Sequence, residues 1–202
     1  NAPLNAVQFG ALFADGKATL SGSTYSLEDT ATDLAGLDAS ALNGATDIDA
    51  TGAAATPEVA AKLIAAENTG DTTLAEVSGT VNGLLGLSLD GNDTITTLTV
   101  TDTASVAQAE ALAEKTGDLA LTTLSDTAAA IEGADSARYE DATNIVITDT
   151  ATVAQANTVL GEGTVTIAEV SGTYDGVFGN SVLESRTGSE AITLLTITDA
   201  VS

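Results

Sequence analysis

The chain lacks four residue types that carry much of protein chemistry: its 202 residues include no Cys, His, Met or Trp. Without Cys there are no disulfides and no thiolate ligands for a metal. Without His, the commonest general base and the commonest zinc ligand are both missing. Pairs of carboxylates, such as glycosidases use, are unavoidable among 29 acidic residues and single out no site. The sequence therefore predicts a protein that is not an enzyme and that holds no cofactor.

Basic residues are also scarce, because five Lys and Arg face 29 Asp and Glu for a formal net charge of −24. Such a surface repels phosphate, so we expect neither nucleic acid nor an anionic membrane as a partner. No apolar run approaches the ~18–20 residues of a membrane-spanning helix, so we expect no membrane insertion. The chain begins at Asn1, and we expect a processed mature chain or a segment of a longer one.

Aromatic residues make up 3% of the chain, whereas apolar residues make up 44%. The core must therefore consist of Ala, Val, Ile and Leu, whose small side chains suit regular stacking. Their strict patterning predicts a folded chain rather than a disordered one.

A repeated phrase dominates what is present: residues 98–109 read LTVTDTASVAQA, and residues 145–156 read IVITDTATVAQA. Asp29 and Asp126 are 97 residues apart, as are Asp102 and Asp199. The phrase, a strand followed by a turn, occurs eight times from Leu27 onward. Its turns fall near Asp29, Gly52, Gly79, Asp102, Asp126, Asp149, Gly172 and Asp199.

The repeats alternate between a long and a short kind. In the long kind a helix start follows the strand, as a capping box at 105–108 and 152–155 and as Thr56-Pro57-Glu58 in the first copy. We expect Gly117 or Gly161 to end such a helix. In the short kind there is room for about one helical turn, which we expect a left-handed Gly to close. These glycines are Gly36, Gly86, Gly133 and Gly179.

The alternation has a physical reason, because parallel strands stack ~4.8 Å apart whereas packed helices need about 8–10 Å. The sequence therefore predicts an α/β solenoid of about eight coils of ~24 residues, with one parallel β-sheet and a helix on every second coil. Thr residues at alternate strand positions would form ladders on one face. The predicted organisation is an N-terminal cap or assembly arm at 1–24, a first four-coil block at 25–122 and a second, truncated block at 123–202.

Residues 1–24 do not match the repeat, and they include Phe9 and Phe13. A cap over the open end of the solenoid is favoured, since terminal repeats need atypical covers. An arm that docks on a neighbouring subunit is the alternative.

The clearest candidate for ligand chemistry is the turn Asp90-Gly91-Asn92-Asp93. Carboxylate and amide oxygens around a Gly turn are what Ca²⁺ prefers, so Asp90, Asn92 and Asp93 are candidate calcium ligands. The turn resembles one copy of the Gly- and Asp-rich calcium repeats of secreted bacterial proteins. A plain polar turn is the favoured alternative, because Asp, Asn and Gly commonly form turns.

The recurring Asp-Thr pairs at Asp29, Asp102, Asp126 and Asp149 could form a row of carboxylates for cations or sugars. We favour a structural role instead. An Asp that follows a strand and precedes a helix accepts hydrogen bonds from exposed backbone amides. Because the Asp recurs at a fixed position in the repeat, this structural role explains it without a ligand.

The phrases at 147–157 and 166–173 resemble repeats in large acidic surface proteins of marine bacteria and cyanobacteria, and in structural proteins of their phages. The resemblance is one of repeat style and covers about residues 25–202. It implies an extracellular structural or adhesive role at the cell surface, or in a virion appendage.

The chain stops within a repeat phrase at 195–202, and an uncovered strand edge there would invite pairing. We therefore expect a subunit of an extracellular filament that assembles head-to-tail as a homopolymer through the solenoid ends and the N-terminal segment. The alternative is an adhesin or phage-fibre module that recognises surface glycans.

Overall fold

The computed structural model describes residues 2–13, 24–160, 163–178 and 191–198. Eight strands lie in one parallel sheet and follow one another across it in chain order. The α/β class and the single parallel sheet are therefore confirmed. The strands are β1 (Leu27–Thr30), β2 (Ile48–Thr51), β3 (Thr72–Gly79), β4 (Asp93–Ala104), β5 (Thr116–Asp126), β6 (Ala142–Thr152), β7 (Thr164–Gly172) and β8 (Ala191–Ile197).

Ten helices are present in the described part of the chain, and a helix follows each of β1 to β7. They are α1 (Ala6–Phe13), α2 (Ala31–Ala35), α3 (Ala39–Asn43), α4 (Pro57–Ile64), α5 (Val81–Leu85), α6 (Val106–Ala113), α7 (Ala128–Gly133), α8 (Ser136–Glu140), α9 (Val153–Val159) and α10 (Tyr174–Phe178). No helix in these ranges is long and apolar enough to span a membrane.

The predicted alternation applies to helix length rather than to helix presence. The longer helices α4, α6 and α9 have eight, eight and seven residues, whereas α2, α5, α7 and α10 have five or six. A helix on every second coil was therefore wrong in that detail. The short helices form because a Thr caps them: Thr30, Thr80 and Thr127 each accept a hydrogen bond from the amide three residues later.

The predicted left-handed glycines were wrong at the described positions. Gly36 and Gly86 have φ values of −72° and −70°, which are right-handed, and Gly133 is the last residue of α7. The chain leaves α2 by a tightened last turn, in which the Gly36 amide donates to the carbonyls of Thr32 and Asp33. Gly117 lies inside β5 and ends no helix, whereas Gly161 and Gly179 lie outside the described residues.

The chain divides into two compact units, of which unit 1 comprises residues 1–99 and 112–119. In unit 1, β2 pairs with β1 and β3 on its two sides, and Leu27 aligns with Ile48 and Ile48 with Thr72. Aliphatic side chains from the strands and helices fill its core, among them Leu27, Leu34, Ile48, Leu63, Leu74, Leu84 and Leu98. At one end, α1 contributes Phe9, whose ring lies 5.3 Å from that of Tyr25.

Unit 2 comprises residues 100–111 and 120–202. Its core follows the same plan, with Leu124, Ile145, Ile147, Ile167 and Val170 buried. The pairing of β6 with β7 shifts register between Ile147 and Thr150. The shift lets three exposed residues, 148–150, stand between the buried Ile147 and Ala151. The strand continues through this irregularity to Thr152, three residues beyond Asp149, where the sequence predicted the turn.

The register of the sheet differs from an alignment of the predicted turns. Asp126 pairs with Ile147, so Asp149 lies two residues further along its strand than the partner of Asp126. This offset brings Asp149 level with the start of the helix that follows β5. Asp149 therefore contacts a helix rather than the turn residue Asp126.

Candidate functional surfaces

Three Asp side chains bind the first helical amide of the preceding repeat. The donor and acceptor lie 2.7–3.1 Å apart in all three cases. The pairs are Ala6 N with Asp29 Oδ2, Val106 N with Asp126 Oδ2, and Ala128 N with Asp149 Oδ1.

These bonds confirm that Asp29, Asp126 and Asp149 cap amides, and they correct which helix is capped, while the same role for Asp102 stays a prediction. Asp126 accepts from Val106, which precedes it by 20 residues, while its other carboxylate oxygen accepts from the adjacent Thr127 amide. The helix that follows is capped by the Thr127 hydroxyl instead. A negative charge near a helix N-terminus is favourable, so each carboxylate fastens a strand to the helix before it.

In two repeats a Gly stands at the turn position, and there the strand contacts the start of the preceding helix by close packing. A Cβ atom at Gly79 would lie 2.5 Å from Pro57 Cγ, and one at Gly172 would lie 2.8 Å from Val153 Cγ2. Pro57 and Val153 are the first residues of α4 and α9. Pro57 has no N–H, so an Asp at position 79 would find no amide to bind there. The missing N–H of Pro57 thus accounts for Gly79, whereas Gly172 is accounted for by the close approach of the Val153 side chain.

Thr and Glu side chains form the ladder on the exposed face of the strands. In unit 2, Glu169 accepts hydrogen bonds from the hydroxyls of Thr196 and Thr150 on the two neighbouring strands. These hydroxyls lower the pKa of Glu169, with Thr196 the larger cause. In unit 1, Glu76 accepts from Thr99 at 2.8 Å. These bonds from Thr to Glu cross-link neighbouring strands, whereas ladders of Thr alone stay a prediction.

The candidate calcium ligands lie together in a tight loop before β4. The Asp90 amide donates to Asp93 Oδ2 at 2.8 Å, and the Asn92 amide donates to Asp90 Oδ1 at 2.7 Å. The Asn92 carbonyl accepts from the buried Thr72 amide. Burial, the largest cause, raises the pKa of Asp93, and the charge of Asp90 adds to this. One carboxylate oxygen of each Asp is therefore already engaged by the loop itself.

A shallow groove of about 430 Å³ adjoins this loop, and Glu114 and Lys115 also line it. The Lys115 ammonium donates to the Leu87 carbonyl at 2.7 Å. Within the described ranges, no group of three or more His, Cys, Asp or Glu side chains is placed to hold a metal. Calcium binding at Asp90, Asn92 and Asp93 stays a prediction.

A second groove, of about 470 Å³, lies in unit 2 between the start of α9 and the end of β7. Thr152, Val153, Gly172 and Thr173 contribute to its walls, which carry no charged side chain. Because Thr152 and Thr173 already cap helices through their hydroxyls, the groove presents mainly packed methyl groups.

Large exposed apolar residues concentrate on α1 and β8. They are Val7, Leu12, Leu194 and Leu195, joined in the described ranges by Tyr174. Val170 of β7 is buried, whereas Leu195, its partner on β8, is not. In the described part of the sheet, β8 pairs with β7 on one side and with no strand on the other.

The N-terminal helix is attached to the sheet edge of unit 1. Leu4 forms a parallel bridge with Leu27, and the Asn5–Gln8 pair forms a capping box at the start of α1. An Asn three residues before a Gln is visible in the sequence, and this signal could have predicted the helix start. Of the predicted segment 1–24, residues 14–23 lie outside the described ranges. Whether the segment also reaches a neighbouring subunit stays a prediction.

Comparison with known proteins adds no relative: no protein-family model matches the chain, and no curated protein or solved structure is significantly similar to it.

Proposed function

We propose that the chain is a structural protein, a solenoid subunit of an extracellular filament or surface appendage that assembles head-to-tail. The observation that carries this proposal is the apolar edge strand β8. Its Leu195 is 40% exposed, although Val170, its partner on β7, is buried, and the neighbouring Leu194 is exposed as well. An edge of this kind is a template for pairing with another chain.

The order of the sheet supports a polar, open assembly. All strands run parallel and in chain order, so its two edges, β1 and β8, are different surfaces. Contact between two different surfaces is heterologous, and such contacts generate fibres when the rotation does not close a ring.

The remaining features fit a structural role. The ladder hydroxyls and carboxylates bind one another across neighbouring strands, and the Asp side chains bind helix amides. The net charge of −24 favours solubility in salty surroundings, where it is screened. An extracellular location, which the resemblance of the repeats implies, agrees with this charge.

Negative-stain electron microscopy of the purified chain across a concentration series tests the proposal. We expect regular fibres whose length grows with protein concentration, and a sedimentation profile that shifts in parallel. Particles that keep monomer size up to millimolar concentration would contradict the filament and favour the alternative, an adhesin or phage-fibre module. A glycan array would then be the next measurement.

A further inference from the structure

We infer that the joint between subunits is a split repeat, in which α1 of one copy covers β8 of the next copy and completes its core. This inference rests on the proposed function and names the two surfaces that meet. Each surface has an intact counterpart inside the chain, where the same elements are complete.

The first surface, α1, is a copy of α6. Both helices have eight residues, and α1 spans Ala6–Phe13 where α6 spans Val106–Ala113. Both begin with a capping box, Asn5 with Gln8 and Ser105 with Gln108. The first amide of each helix binds an Asp of the strand that follows: Asp29 for α1 and Asp126 for α6.

These shared contacts correct the prediction that residues 1–24 do not match the repeat. Residues 4–13 match the second half of a long repeat, the end of its strand and its helix. In the internal copy, that helix follows the long strand β4. In front of α1, only Leu4 represents a strand within the described residues, and it forms a single bridge.

The second surface, β8, is a copy of β4. Leu195-Thr196-Ile197-Thr198-Asp199 repeats Leu98-Thr99-Val100-Thr101-Asp102 at a spacing of 97 residues. The equivalence is also structural, because Thr196 donates to Glu169 just as Thr99 donates to Glu76. The strand β8 is therefore the first half of a long repeat.

Exposure identifies the faces that meet. Leu112 of α6 and Leu98 of β4 are both 0% exposed and belong to the core of unit 1. Their counterparts, Leu12 of α1 and Leu195 of β8, are 46% and 40% exposed. Among the described residues, the two half-repeats thus lack cover at equivalent core positions. A second copy of the chain supplies, for each surface, the half that its internal counterpart possesses.

The backbone at the edge of β1 belongs to the same joint. Leu4 pairs with the edge of β1 through two bonds, in which its amide donates to the Ser26 carbonyl and its carbonyl accepts from the Glu28 amide. Leu4 precedes α1 by two residues, just as Ala104, the last residue of β4, precedes α6. Leu4 therefore marks the strand end of the split repeat, and β8 of the next copy supplies the part of the strand before it.

The test uses two complementary variants of the full chain, Leu12→Glu and Leu195→Glu. Each places a charge at one half of the joint and leaves the other half intact. We expect each variant alone to need at least a ~10-fold higher concentration to form fibres, because burying an unpaired carboxylate is costly. Val7→Glu is the matched control: Val7 is 79% exposed on the same helix, and its counterpart Ala107 is also exposed. This control should form fibres as the unmodified chain does.

Mixing the two variants gives the decisive result. A 1:1 mixture should form heterodimers that grow no further, because the intact β8 of Leu12→Glu meets the intact α1 of Leu195→Glu. Sedimentation velocity distinguishes these dimers from monomers and fibres. Should either Glu variant melt early, Leu12→Ser and Leu195→Ser repeat the test with a smaller perturbation.

The outcomes distinguish a failure of the split-repeat inference from a failure of the filament proposal. Fibres from both variants alone, or a mixture that stays monomeric, would overturn the split repeat and leave the filament in place. An unmodified chain that never forms fibres would overturn the proposed function, and the joint with it.

Discussion

A single side-chain choice decides how each strand meets the helix before it. At the start of α6, Asp126 binds the Val106 amide, whereas at the start of α4, Gly79 lets the Pro57 ring approach. The residue type at position 79 is thus set by the helix rather than by a turn, since no positive φ is found there.

This contact makes a prediction for Gly79→Ala. The added Cβ would lie 2.5 Å from Pro57 Cγ, so we expect the free energy of unfolding to fall by about 1–3 kcal/mol. Removing the ring in Pro57→Ala/Gly79→Ala should restore most of that loss. Urea unfolding of the single and double variants measures the coupling.

Gly91→Ala is the control, because a Cβ there would meet nothing within 4 Å. Purely additive effects of the Pro57 and Gly79 substitutions would show that the ring does not explain the glycine.

At the scale of the element, the helices α6 and α7 each have two sources of N-terminal capping. A Thr or Ser of its own repeat binds the third amide, and an Asp of the next strand binds the first. For α7 these residues are Thr127 and Asp149. The helix has six residues and would be marginal alone, so its stability depends on these caps and on its buried side chains.

We expect Asp149→Ala to lower the free energy of unfolding by about 0.5–2 kcal/mol, the usual range for a lost helix cap. The Ala128 amide, its partner, should exchange with solvent measurably faster by NMR. Asp149→Asn keeps an acceptor oxygen without the charge and should have a smaller effect on both. Unchanged exchange at Ala128 in Asp149→Ala would show that the bond does not stabilise the helix.

The sequence predicts the strands and the longer helices well because their signals are local. Hydroxyl caps at Thr56, Ser105 and Thr152 mark the three longer helices, and α4, α6 and α9 begin one residue later. The sequence predicted only about one helical turn at the short helices, because five or six residues are too few to show a helical period of apolar positions.

The features that the sequence did not predict depend on contacts between repeats. The irregularity at 148–150 and the bond from Asp149 to Ala128 require the register of two strands, which no local pattern contains. The kinship of α1 with α6 was hidden because Phe9 stands where Ala109 does, and only the shared capping contacts reveal it. The candidate calcium loop was located correctly as a turn, and its ligand stays a prediction.

At the scale of the whole molecule, the net charge of −24 governs how stability responds to salt. Self-repulsion of this size destabilises the folded state, and salt screens it. We expect the melting temperature to rise with NaCl and to level off as screening saturates. A plain polar turn, the favoured interpretation of the loop that holds Asp90 and Asp93, predicts no further rise with calcium at matched ionic strength.

A larger rise with calcium would contradict this and establish the loop as a metal site. Asp93→Asn should then abolish the excess, whereas Glu110→Gln, which removes an exposed charge from α6, should not. Differential scanning calorimetry of the three proteins makes the comparison.

The bond from each Asp to the helix before it also gives folding a direction. The capping of α7 is complete only after β6 has been placed, so an emerging chain completes each layer one step late. A layer whose following strand is not yet in place therefore lacks one of its two helix caps. Deleting one layer from the C-terminal side should loosen its predecessor, whereas a deletion from the other side leaves the helices behind it capped.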